Sequence, residues 1–300
     1  MTCYLGRYGD EIGSDEFGAT IMISNSIPNK IGAENVIVRI SNVELFHVGQ
    51  SFRLGRYPIH FHMLGDSPSS YVRECAIRES FNRAVNIHAT NYVTVERTVI
   101  YNVMGGAFFL EDGVEIGNTF QYNLAVFVKT SSSLLNEDIT PAGFWATNPN
   151  NTWQHNAVAG GTHFGYWFRL LDHPDGPSFT PDYCPKNIPL GKFYNNSVHS
   201  VGRFGLWIFP GYNPTVSGNC KDLNPSPAKF DTFTAYAADK GAEWVVSSSI
   251  QFKNFLVYDT VSSGIETKTM KNYESVNSYY GPTFYSETQG ALIYNAVTIF

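Results

Sequence analysis

The chain has 300 residues, of which 43% are hydrophobic, 15% aromatic and only 15% charged, enough apolar mass for a large core and too much for a disordered segment. Its formal net charge of −6, with no Lys/Arg run, excludes an electrostatic footprint for nucleic acid. No apolar run approaches the roughly 18 residues needed to span a bilayer.

Met1 opens onto an acidic, Gly-rich stretch and not onto a signal peptide. If the protein is extracellular, the 300 residues are a fragment whose secretion signal lies upstream. Beyond this start, helical periodicity is almost absent and a short module recurs. Its copies are VIVRISNVELFHVG (Val36–Gly49), YVRECAIRES (Tyr71–Ser80), VTVERTVIYNVMGG (Val93–Gly106), NTFQYNLAVF (Asn118–Phe127), NTWQHNAVAGG (Asn151–Gly161), KFYNNSVHSVG (Lys192–Gly202), IQFKNFLVYDTVSSG (Ile250–Gly264) and NYESVNSYYG (Asn272–Gly281). Aligning Val43, Ile77, Ile100, Ala125, Val158, Val198 and Leu256 gives steps of roughly 34, 23, 25, 33, 40 and 58 residues. The shortest steps match one turn of a parallel β-helix, whose stacked coils bury a continuous core. Asn at a fixed place in the module tolerates left-handed backbone and stacks amide on amide. A β-sandwich also spaces strands closely, but the only hairpin dipeptide near a strand end is Asp112-Gly113. The prediction is therefore an all-β chain: a right-handed parallel β-helix with loop insertions at Ser131–Pro141, Leu171–Pro189 and Phe209–Lys229. Such loops flank a groove along the coil, which suits an extended polymer.

Three motifs on successive turns place chemistry on one face. In Arg56-Tyr57-Pro58-Ile59-His60-Phe61-His62, strand alternation sends Ile59 and Phe61 inward and His60 and His62 outward. Val85-Asn86-Ile87-His88 sends Asn86 and His88 outward, and Phe108-Phe109-Leu110-Glu111-Asp112 does the same for Glu111. His62, His88 and Glu111 then form an exposed column, a set suited to general acid–base work or a divalent cation such as calcium. His60, Asn86, Asp112 and Arg56 extend it as ligand-binding candidates. Asp172-His173 reads as turn chemistry, and Trp167 and Trp207 as mostly core.

The four cysteines have no zinc-type spacing. Cys184 and Cys220 lie in the long insertions and are expected to pair, Cys75 to stay a buried thiol, and Cys3 to be unpaired. Asn150 and Asn195 begin N-glycosylation sequons.

LGRYPIHFHMLGD (Leu54–Asp66), FNRAVNIHA (Phe81–Ala89), YNVMGGAFFLEDG (Tyr101–Gly113), SLLNEDITPAGFW (Ser133–Trp145), FWATNPNN (Phe144–Asn151), YWFRLLDHPDGPS (Tyr166–Ser178) and LGKFYNN (Leu190–Asn196) carry a family likeness. Over nearly its whole length the chain resembles the β-helix region of the G8/parallel β-helix family, which includes the fibrocystins and the cell-migration-inducing and transmembrane hyaluronidases. The resemblance implies one β-helix domain over 1–300, in which 1–50 is the tail of a G8 domain leading into the first coils. It further implies a cell-surface protein, attached to the membrane only through parts outside these 300 residues. The fibrocystin branch implies a non-enzymatic module that presents a groove to a glycan or matrix polymer. The hyaluronidase branch implies hyaluronan depolymerisation. The RYPIHFH and EDG motifs occur in both branches, so they do not choose between them.

Overall fold

The structure, a computed structural model, describes residues 16–27, 30–32, 35–131 and 136–268, with two further strands at Thr283–Phe284 and Leu292–Tyr294. Every pairing between named strands is parallel, so each turn of the chain lies on the previous one. This is a parallel β-helix, with helix among the described residues limited to Asn136–Ile139 and two short 3-10 turns. Three strands make a complete turn, for example Ile59–Asp66, Tyr71–Arg73 and Ala76–Ser80, and each contributes to one of three stacked sheets. The coil is already under way at Ile21–Ser24, which pairs with Ile59–His62.

The third sheet shows how the repeat builds the core. Leu45, Ile77, Ile100, Ala125, Val158, Val198, Ala235 and Val257 stand in register. From Ile77 onward all of them are wholly buried; Leu45, at the coil's start, is partly buried. Two expected members are corrected. Val43 is 40% exposed, and Leu45, one pleat further on, takes its place. Leu256 is partly exposed and yields to Val257, its neighbour of opposite pleat. The long step before it hides a whole coil, whose marker is the small Ala235. Its strand begins at Ala228, so the third insertion ends before its expected limit.

The later coils of the first sheet, Phe108–Leu110, Ala142–Ala146 and Phe164–Phe168, are apolar on both faces, which is why these strands read as continuous hydrophobic runs. Inside the coil Phe108, Phe144 and Tyr166 stack with ring centroids 4.7 Å apart. Outside it Phe109, Trp145, Trp167 and Trp207 form a second pile, at 4.9, 4.3 and 4.5 Å. Where the chain re-enters this sheet, Gly143, Gly165, Gly205 and Gly241 occupy neighbouring coils in register. A Cβ on Gly165 would stand 2.4 Å from both methyl groups of Val198 and 2.6 Å from the Gly205 carbonyl oxygen.

Asparagines close the turn between the second and third sheets. Asn123, Asn156 and Asn196 are buried, and each donates its amide to a main-chain carbonyl of the preceding coil. The main-chain N–H groups of Asn123 and Asn156 donate to the amide oxygen one coil on. The left-handed residue expected of asparagine is instead the one before it: Tyr122, His155 and Asn195 have φ of 57°, 56° and 52°. Side-chain amide stacking therefore explains Asn123 and Asn156, and backbone freedom does not. Asn156→Ala strands the buried Asn123 N–H and Phe120 carbonyl and is expected to cost about 1–2 kcal/mol, read as a lower urea midpoint. An unchanged midpoint would remove the ladder from the fold's stability.

Candidate functional site

Register assembles the site from three coils. Ile59, Val85 and Phe108 are aligned, as are Phe61, Ile87 and Leu110, and all six are buried inside the coil. The pleat turns the intervening residues the other way, so His62 lies beside His88. The Glu111 N–H donates to the Ile87 carbonyl, which sets Glu111 against His88 of the preceding coil.

The side chains converge. His62 Nδ1 is 3.1 Å from His88 Nδ1, and His88 Nε2 is 2.7 Å from Asp112 Oδ2. Glu111 Oε2 accepts a hydrogen bond from Asn86 Nδ2 at 2.6 Å and lies 3.7 Å from His88 Nδ1 and 3.8 Å from His60 Nε2. Arg56 stands exposed at the mouth of the same cavity, whose volume is about 470 Å³.

The face is not open to solvent, as alternation alone implied. His60, Asn86, His88 and Asp112 are only 2%, 0%, 4% and 5% exposed. The turn at Leu54–Gly55 covers one side and Asp175–Pro177, from the second insertion, covers the other. Asp175 donates its N–H to the Asp112 carbonyl at 2.8 Å. Gly176 has φ +59°, and a Cβ there would come within 2.9 Å of Asp112 Oδ1, so the roof approaches as closely as a glycine allows.

Burial and neighbours set the protonation of the imidazoles. Burial pushes His60 down to about 3; His62, His88 and Arg83 add to this, against the hydrogen bond to Gly55. His62 is lowered by burial and by His88. Burial also opposes charge on His88, yet the bond to Asp112 and the nearby Glu111 and Asp112 raise it overall. His60 Nδ1 is 3.0 Å from the Gly55 carbonyl, an acceptor only, so Nδ1 carries the proton and Nε2 a lone pair. Asp112 likewise fixes a proton on His88 Nε2. The two facing Nδ1 atoms of His62 and His88 then share a single proton.

Four supporting residues escaped the sequence reading. Arg83 is buried at 3% exposure, donates through Nε to Asp138 Oδ1 at 2.7 Å and lies 3.8 Å over the Phe109 ring. Tyr57 accepts from Arg83 at 3.4 Å. Buried Glu115, its carboxyl raised by desolvation, accepts the N–H groups of Ala89, Asp112 and Gly113. The sequence offers no signal for Asp138, which reaches Arg83 from 55 residues away. Asp172 pairs with Lys186 and His173 contacts the Tyr183 carbonyl, both outside this cavity. Cys184 and Cys220 form a disulfide with their Cα atoms 5.2 Å apart, while Cys75 is a buried free thiol. Cys3 and the module at 272–281 lie outside the described residues. Asn150 and Asn195 are exposed.

The model of the CEMIP beta-helix family matches residues 16–206, a stretch that takes in the entire cavity and its roof. The chain belongs to the CEMIP beta-helix family. Fibrocystin-L of Mus musculus is 55% identical over 99% of this chain and 7% of its own length. The human cell migration-inducing and hyaluronan-binding protein is 36% identical over 62% of this chain and 16% of its own. Human cell surface hyaluronidase CEMIP2 is 29% identical over 84% of this chain and 22% of its own. The chain thus spans a small part of each relative. Among the described residues no helix is long and apolar enough to cross a membrane.

Proposed function

We propose that this module is the ligand-binding segment of a cell-surface protein and that its roofed cavity takes a short stretch of an extracellular glycan. The observation that carries this reading is the cavity itself. Its volume of about 470 Å³ is that of a small-molecule site, and it couples buried hydrogen-bonding groups to an exposed Arg56 at the rim. A guanidinium in that position suits the carboxylate of a uronic acid. The disulfide and the exposed Asn150 and Asn195 sequons agree with an extracellular site. The name of one relative records hyaluronan binding.

A second reading is hyaluronan depolymerisation, with His62, His88 and Glu111 as the catalytic group. It draws on two facing imidazoles, one pushed down by burial and the other raised by its carboxylate neighbours, and on a relative named a hyaluronidase. One experiment separates the two. The full chain is held on a sensor, size-defined hyaluronan is passed over it, and the recovered polymer is sized. Retention at unchanged length, weakened about tenfold by Arg56→Ala, is the expected result. Shortening that Glu111→Gln abolishes would transfer the site to the enzymatic reading. Neither retention nor shortening, with chondroitin equally inert, would overturn both.

A further inference from the structure

We propose that His60, His62, His88 and Glu111 form a binding site for a late first-row divalent metal ion of the zinc class. The site lies in the floor of the cavity and does not depend on the glycan reading. One ligand atom from each of the three histidines falls within 4.8 Å of the others. A tetrahedral ion with ligands at 2.0–2.1 Å holds them about 3.3 Å apart. The separations in the structure bracket that value: 3.1 Å for His62 to His88, 3.7 Å for His88 to Glu111 and 3.8 Å for His60 to Glu111.

The hydrogen bonds behind the ligands make the stronger case. A metal-binding imidazole donates its far N–H to a carbonyl or carboxylate, which fixes the tautomer and aims the other nitrogen. His60 does this through Nδ1 to the Gly55 carbonyl, and His88 does it through Nε2 to Asp112. His60 Nε2 is left buried, turned toward Glu111, and without any hydrogen-bond partner. A buried acceptor with no donor is costly unless something electrophilic faces it. Asn86 Nδ2 holds Glu111 Oε2 in place from the other side. The proton shared by His62 and His88 leaves when both Nδ1 lone pairs turn to the ion. Carboxylates Glu111 and Asp112 balance the ion's two positive charges.

The donor set also selects the ion. Calcium takes six to eight oxygen ligands, and magnesium an octahedron of oxygens. Three imidazole nitrogens and one carboxylate match neither, so calcium, expected from the sequence, gives way to an ion that prefers nitrogen. The other trio of potential ligands among the described residues, His173, Cys184 and Cys220, has both its sulfurs in the disulfide.

The full chain, stripped with a chelator and dialysed, is titrated with Co²⁺ and then Zn²⁺, with elemental analysis and visible absorption as readouts. We expect one equivalent per chain, a tetrahedral Co²⁺ spectrum that zinc abolishes, and no displacement by excess calcium. His60→Gln and His62→Gln should each weaken binding at least about tenfold, and Asp112→Asn, a positioning change, by about 10–100-fold. His199→Gln, on another face, should bind as the unaltered chain does. His62 is only partly buried, so His62→Gln remains informative if His60→Gln fails to fold. Zinc should raise the melting temperature of the unaltered chain and not that of His62→Gln. Absence of stoichiometric cobalt or zinc binding, or undiminished binding by folded His62→Gln, overturns the site. Neither result bears on hyaluronan retention, so the two proposals fail separately.

Discussion

Asp138→Asn is expected to lower the free energy of unfolding by about 3–5 kcal/mol, the cost of breaking a buried ion pair by removing one partner. Asp138 and Arg83 are each 3% exposed in their side chains and meet at 2.7 Å. The guanidinium is sealed further by the face of Phe109, 3.8 Å away. With a neutral amide opposite, the charge of Arg83 stays out of water without its counter-ion. Asp138 also belongs to the four-residue helix of the first insertion, so the pair fastens that insertion to the coil beside the cavity. Arg83→Met should cost a similar amount, because it strands the carboxylate. The double variant Arg83→Met/Asp138→Leu removes both charges and should recover much of the loss. Urea unfolding of the four proteins gives the comparison. A single-variant loss below about 1 kcal/mol, or a double variant as weak as the sum of the singles, would show that the pair does not act as described.

Gly165→Ala should cost about 3 kcal/mol, at the upper end of what overpacking a close-packed core produces. The new methyl would have to occupy space held by both branches of Val198, and the Gly205 carbonyl leaves it no escape along the axis. Combining it with Val198→Ala should relieve only the side-chain part of the clash. The double variant is therefore expected to be more stable than the two single losses predict, by about 0.5–3 kcal/mol of coupling. Strict additivity would mean that Val198 is not the obstacle. Thermal melts of the same set, followed by far-ultraviolet circular dichroism, supply a second measure.

Much of the coil was legible because its signal is local and repeated. Ile77, Ile100, Val158 and Val198 each sit in a recognisable module, and each lands in the core. Leu256 misled because its module offers two apolar residues of opposite pleat, Leu256 and Val257, and Val43 misled because Leu45, two positions on, has the same parity; only pairing with the neighbouring coil decides in each case. The convergence of His62, His88 and Glu111 was legible for the same reason: alternation sets the side and coil spacing the distance. Their enclosure was not. Gly55, Asp175 and Gly176 cover them through turns with no period to read, and the 470 Å³ enclosure depends on where an insertion folds back. Arg83 gives a similar lesson, since the carboxylate that fixes its role is remote in sequence and lies in an insertion.

Because Ile59–His62, Val85–His88 and Phe108–Leu110 are held in parallel register, the cavity floor is written across three coils and not within one segment. That arrangement divides the chain by its tolerance to changes in length. Residues gained or lost in the insertion at 209–227 leave coil pairing intact, so natural variants and engineered tags can be accommodated there. A single residue added inside the 85–88 strand has a different fate. It exchanges the two faces from that point on, carrying His88 toward the core and Ile87 toward the ligand. Substitution can therefore tune this site one side chain at a time, whereas insertion within its strands erases it in one step.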